Sequence, residues 1–134
     1  YIPGNYTLNP NDYLSLLCIS DTHGKEGKTE TLSVNALPKC DILLHAGDFT
    51  MDGRKKEVKR FNKFGQTLHE SNKFKHLITI AGNHETTFDI PYYNKKNGGN
   101  RFHRFFKPKP GPNYANECKN IILNSKYWTY LEDS

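Results

Sequence analysis

The sequence contains no apolar run near the 18 residues that a membrane helix requires, and that excludes a spanning helix of ordinary length. It has no Cys-x-x-Cys, so neither a zinc ribbon nor a redox pair is indicated. Its three cysteines, Cys18, Cys40 and Cys118, are odd in number and far apart, a pattern that suits a reducing compartment. Cys18 lies in an apolar run and is expected to be a small buried residue. No secretory leader is visible. The chain opens on Tyr1 rather than Met, and the expected location is cytoplasmic. Internal repeats and low-complexity tracts are absent as well. Apolar residues make up 35%, below the roughly 45–50% of average domains, so the core is expected to be modest. The 13% aromatic content still argues against disorder. At 134 residues, residues 1–134 form one domain or a piece of one.

The formal charge is +5 and the pI about 9.1, which favours anionic partners such as phosphate esters, nucleotides or nucleic acid. Two clusters carry most of the excess: Arg54 to Lys56 with Lys59 and Arg60, and Lys95 to Lys109. The plain reading of each is a solvated helix face and a solvated loop. Asn5-Tyr6-Thr7 matches a glycosylation sequon and is read as a chance match.

Short apolar runs over 14–20, 41–46 and 75–81 predict buried strands. Between the first two, residues 24–39 read as a loop with one helical turn. The best helix spans 52–71, where Val58, Phe61, Phe64 and Leu68 align in one stripe. Asp52 could cap it, and Gly65 counts against it by about 1 kcal/mol. Residues 86–93 are aromatic, with order ending near Pro91, and 94–112 reads as a long inserted loop rich in Gly and Pro. A second helix is predicted over 114–123, with Ala115, Cys118, Ile121 and Ile122 on one side, and a last strand over 127–131. This order predicts an α/β fold, a layered arrangement of a mainly parallel sheet with helices.

What stands out is that each of the first three strands ends in a polar cluster. These are Asp21-Thr22-His23, Gly47-Asp48 and Gly82-Asn83-His84-Glu85. Any one alone would be an ordinary turn. In open α/β sheets ligands gather beyond the carboxyl ends of strands, so all three can converge. Besides Glu85, they supply two carboxylates, two imidazoles and an amide, the material of a site for divalent metals. Asp21 and His23 lie two apart; in extended backbone they would point the same way and grip one cation. Asp48 has two oxygens and could bridge two cations, and Gly47 removes a side chain that would crowd it. Asn83 offers a neutral oxygen to a second cation. Two such cations could clamp a phosphoryl group and lower the pKa of a bridging water, which as hydroxide would attack phosphorus in line. His84 follows Asn83, is expected to point elsewhere, and suits transition-state stabilisation or protonation of the leaving oxygen. Glu85 would orient a histidine or cap the next helix. Mixed N and O donors fit Mn, Fe, Zn or Co better than Mg.

The remaining histidines have quieter readings. His45 is expected to be buried and hydrogen-bonded, with support of the metal ligands as its alternative. His69 and His76 are expected at the surface. His103, in a basic aromatic loop, is a minor candidate for substrate contact.

The phrases Asp21-x-His23, Gly47-Asp48 and Gly82-Asn83-His84-Glu85 resemble the first three motifs of the calcineurin-like metallophosphoesterases. The wider runs from Ile19 to Gly24, Asp41 to Thr50 and Ile80 to Glu85 are most similar to the metallophosphoesterase-domain-containing branch. The resemblance implies a four-layer α/β sandwich with a dinuclear site that hydrolyses phosphomonoesters or phosphodiesters. By position, Asp21 and His23 would bind the first metal, Asp48 would bridge, Asn83 would bind the second, and His84 would be catalytic. The branch implies phosphodiesterase activity on cyclic nucleotides. The family's later Gly-His-x-His motifs have no counterpart after His84. The chain therefore resembles the N-terminal half of the domain, and a sheet edge and an apolar face are expected to lie uncovered. Weak metal binding and little hydrolysis are expected of it alone. Two other readings compete: a non-catalytic metal-binding or scaffold fragment, and, more remotely, a single-stranded nucleic-acid module using the basic clusters with Phe102, Phe105 and Phe106. Oligomeric state is left open.

Overall fold

The computed structural model describes residues 13–27 and 32–132; the Asn5 sequon lies outside them. Four strands, β1 (Leu16–Ile19), β2 (Ile42–His45), β3 (His76–Thr79) and β4 (Thr129–Tyr130), form one parallel sheet in the order of the sequence. The α/β class and the parallel sheet are as expected. Registers align Cys18 with Leu44, Leu44 with Ile78, and Ile78 with Thr129. Parallel strands that follow one another in space as in sequence, joined by right-handed crossovers, place every connection on the same face. Helices α1 (Lys55–Glu70) and α3 (Tyr114–Leu123) accordingly pack together on one side, with a short α2 (Ile90–Asn94) between them in sequence.

That side holds the core. The stripe of Val58, Phe61, Phe64 and Leu68 meets Leu43 and Leu77 from the sheet and Cys118 and Ile122 from α3. Phe61 stacks between Phe49 and Trp128, with ring centroids 3.9 and 4.5 Å away. Gly65, which counts against a helix by propensity, sits where the Trp128 indole lies on α1: a Cβ there would overlap Nε1 and its neighbours. The glycine is a packing requirement.

The other face corrects the expectation of strands buried on both sides. Leu16 is 54% exposed and Leu14 73%, while Ile42, Leu44 and Ile78 are only half-buried. Cys18 is exposed rather than buried, because it points to this uncovered face. The uncovered apolar face itself was expected.

Smaller corrections concern ends and loops. The α1 helix begins after Arg54, not at Asp52; the Glu57 carboxylate accepts from the Arg54 backbone N–H at 3.0 Å, and Asp52 pairs with the Arg54 side chain instead. Pro91 falls in the first turn of α2, where no N–H is needed, behind an Asp89 cap that accepts from the Tyr92 N–H at 2.9 Å. The 94–112 segment contains a 3-10 turn, Gly99–His103. Its anchor is His103, buried rather than presented to solvent: Nε2 donates to the Asp52 carbonyl at 2.7 Å, and Nδ1 accepts from the Tyr93 hydroxyl at 2.8 Å. Among the described residues no helix is long and apolar enough to cross a membrane.

Candidate metal centre

The first two strand-end loops are sewn to each other by backbone bonds. The N–H groups of Asp21, His23 and Gly24 donate to the carbonyls of Gly47, Asp48 and Phe49 at 3.0–3.1 Å. The chain achieves this with Asp21, His23 and Asp48 in left-handed backbone, at φ of 53°, 46° and 55°. Such conformations cost roughly 1–2 kcal/mol for a residue with a Cβ, least for Asp and Asn. They overturn the expectation that Asp21 and His23 share an extended backbone. Strain of this kind gathers at functional sites.

The second and third loops approach too closely for side chains between them. A Cβ on Gly82 would collide with the Asp48 carboxylate, and one on Gly47 would lie 2.7 Å from the Gly82 nitrogen. Asp48 is fixed from both sides: its Oδ1 accepts from the His84 N–H at 2.9 Å, and its own N–H donates to Glu85 at 2.8 Å.

The result is a cluster in which donor atoms of His23, Asp48 and His84 all lie within 4.8 Å of one another. The two imidazoles meet edge to face, with centroids 4.5 Å apart. His84 is thus not turned away from the other residues, as expected, but brought among them. Both rings have their tautomer set by carbonyls. His23 Nδ1 lies 3.0 Å from the Thr50 carbonyl and His84 Nδ1 2.6 Å from that of Met51. A carbonyl can only accept, so each Nδ1 carries a proton, and in the neutral ring it is Nε2 that keeps the lone pair. Metal-ligating histidines are oriented in this way. One carboxylate and two imidazoles, partly exposed and pre-set by tautomer, fit a divalent transition metal.

Asp21 and Asn83 are both exposed, and Asp21 is not in that group of three. Asn83 lines a cleft of about 1190 Å³ that runs past Phe88, Tyr92 and Phe102 to Lys119.

Beneath the cluster, Glu85 is buried and binds backbone rather than a histidine. Its carboxylate accepts from the N–H groups of Asp48, Thr50 and Gly82 and from the Thr50 hydroxyl, at 2.7–2.8 Å. Burial pushes its pKa up, while those four bonds pull the other way. It clamps the second loop to the third. His45 is fully buried under the first loop. The Thr22 hydroxyl donates to Glu26, so His45 Nε2 donates to Thr22, at 2.9 Å. His45 Nδ1 and Glu26 Oε2 have no partner among the described residues. Burial holds the His45 pKa down at about 4, against the opposing pull of Asp21 and Asp48, so the ring is neutral.

Sequence reasoning missed the Thr50 and Met51 carbonyls, which no residue type could reveal, and the buried Thr22–Glu26 pair. An i, i+4 hydroxyl–carboxylate spacing was the available signal for the latter.

The family model described as Calcineurin-like phosphoesterase matches residues 14–132. The chain is 36% identical over 127 residues to metallophosphoesterase domain-containing protein 1 of Homo sapiens, covering 93% of this chain and 34% of that protein. The Mus musculus protein of the same name matches equally. A UPF0046 protein of Caenorhabditis elegans is 42% identical over 79 residues, 58% of this chain and 23% of its own length. The chain thus spans about a third of the length of the human and mouse relatives.

Proposed function

This chain belongs to the calcineurin-like phosphoesterase family, and on that premise we propose that it carries the first part of a centre for metal-dependent hydrolysis of phosphate esters. The observation that carries the reading is the convergence of His23, Asp48 and His84 with both Nε2 lone pairs available. His23 and Asp48 would hold a divalent ion, with Asp21 and Asn83 as further donors to a pair of ions. A bound divalent cation supplies charge neutralisation at phosphoryl oxygens and a lowered pKa for water.

The chain's own residues do the rest. His84, fixed through Nδ1 by Met51, presents Nε2 to a substrate; when protonated there it can give its proton to the leaving oxygen. Glu85 keeps the Asp48 and Gly82 loops in register, and the Thr22–His45 contact supports the loop that carries Asp21 and His23. The aromatic-walled cleft beside Asn83 has room for an organic group esterified to phosphate. That room suits a monoester or a diester; the substrate class proposed is the phosphodiester, with a cyclic nucleotide as the test compound. A scaffold role is the second reading; the uncovered apolar sheet face favours it.

The test is Mn²⁺ titration by calorimetry, followed by assay on a cyclic nucleotide and on a phosphomonoester. Asp48→Asn is expected to abolish saturable binding. Turnover by this chain alone is expected to be low. Mn²⁺ heats unchanged by Asp48→Asn would sink the assignment, and brisk turnover lost in that variant would instead show the chain sufficient.

A further inference from the structure

The two basic clusters, far apart in sequence, meet. Arg54, Lys55, Lys56 and Lys59 from the start of α1 face Lys107 of the 94–112 segment across a cavity of about 470 Å³, with Phe106 on its wall. Only two of these five cations have an acid: Arg54 pairs with Asp52, and Lys55 with Glu117 at 2.7 Å. Lys56, Lys59 and Lys107 have no ion-pair partner among the described residues. Gathering like charges around a concave wall raises the local positive potential and attracts anions.

The aromatic neighbours say what kind of anion. Phe106 has the Arg54 guanidinium 4.3 Å from its centroid and the His103 ring stacked at 4.5 Å, so it has no face left for a base. Phe102 and Phe105 are likewise faced by Arg101 and Arg104, at 4.8 and 5.4 Å. Single-strand binding depends on stacking platforms, and here Phe106 is covered while Phe102 and Phe105 are not on the wall of this cavity. Recognition here rests on charge alone, and three unpaired ammonium groups match an anion of about three charges in a small volume.

We propose that this cavity is a second anion site, separate from the metal centre, and that it takes a diphosphate group, either free or as part of a nucleotide. Lys56, Lys59 and Lys107 contact its oxygens, while Arg54 is held against Phe106 as the wall. Lysine serves here as a mobile point charge, suited to an anion without one fixed plane.

The chain is stripped of metal and tested in metal-free, chelator-free buffer, so that the metal centre takes no part. Inorganic pyrophosphate, ADP, AMP and a short oligothymidylate are titrated by calorimetry. Pyrophosphate is expected to bind saturably, more weakly as salt rises, and AMP at least about tenfold more weakly than pyrophosphate, having lost a phosphate. Lys59→Ser with Lys107→Ser is expected to weaken pyrophosphate at least about tenfold, for two lost charge-assisted contacts. Asp48→Asn leaves it unchanged. Methylated-lysine NMR reports on folding and place together: the Lys56, Lys59 and Lys107 signals shift, those of Lys119 and Lys126 do not. ADP equal to or tighter than pyrophosphate identifies the nucleotide; weaker ADP identifies the free anion. No saturable pyrophosphate binding, binding that survives the double substitution or is lost with Asp48→Asn, or binding of the oligothymidylate alone, overturns the proposal.

Discussion

The buried imidazole of His45 contributes to tying the stability of this protein to pH. His45 is neutral in the fold, with its pKa held at about 4, whereas an unfolded histidine titrates near 6.5. Below about pH 6.5 the unfolded chain takes up a proton that the folded chain refuses. His45's contribution is therefore fully present above that value, declines as pH falls, and is spent near pH 4, a loss of about 3 kcal/mol. His45→Gln keeps a donor for Thr22 but cannot titrate. Urea midpoints measured at about pH 7, 5.5 and 4.5 should fall more steeply for the parent than for the variant; parallel slopes would show that the ring is not the titrating group. Much at this scale could not be read in advance. Asp21, His23 and Asp48 were visible as chemistry, but their left-handed backbone was not, because only glycine announces such a turn. The proton positions on His23 and His84 depend on carbonyls, which every residue carries alike.

Among the elements, α1 gives a sharp test because propensity and packing disagree in sign. Replacing glycine by alanine inside a helix ordinarily stabilises by about 1 kcal/mol. At Gly65 the added methyl meets the Trp128 indole, and overpacking of this kind costs about 1–3 kcal/mol. Gly65→Ala is expected to lower the Tm; a rise would mean that the indole gives way. The same residue shows what pattern reading captures. The apolar stripe of α1 and the bounds of α3 were legible, since spacing along a helix is a local property. The glycine's purpose was not, because its partner lies far along the chain. Strand lengths were overestimated for a similar reason: the apolar runs continue past the last ladder bond into the loops that build the site. Reactivity separates the cysteines as well. Cys18, on the open face, should react rapidly with a thiol reagent, and Cys118, buried with its pKa pushed up to about 11, only on unfolding. Equal rates would place Cys118 at the surface.

At the scale of the whole molecule, one side of the sheet is dressed by helices and, among the described residues, no element covers the other. An exposed apolar face of this kind marks a surface awaiting a partner, or an aggregation liability. Leu16→Thr should leave unfolding free energy within about 0.5 kcal/mol, as surface changes usually do, yet reduce self-association in light scattering. A large loss of stability would show that this face is already covered. Uniformly apolar strands read as enclosed from both directions; the sidedness came from the sequential strand order, a global property that no window of residues contains.

That order has a consequence for how the protein comes into being. Each parallel strand is laid against the one synthesised just before it, so the sheet can grow from one margin as the polypeptide leaves the ribosome, with no need to hold a gap open for a later arrival. The ledge where Asp21, Asp48 and Asn83 reside would then be completed in the same sequence, a loop at a time.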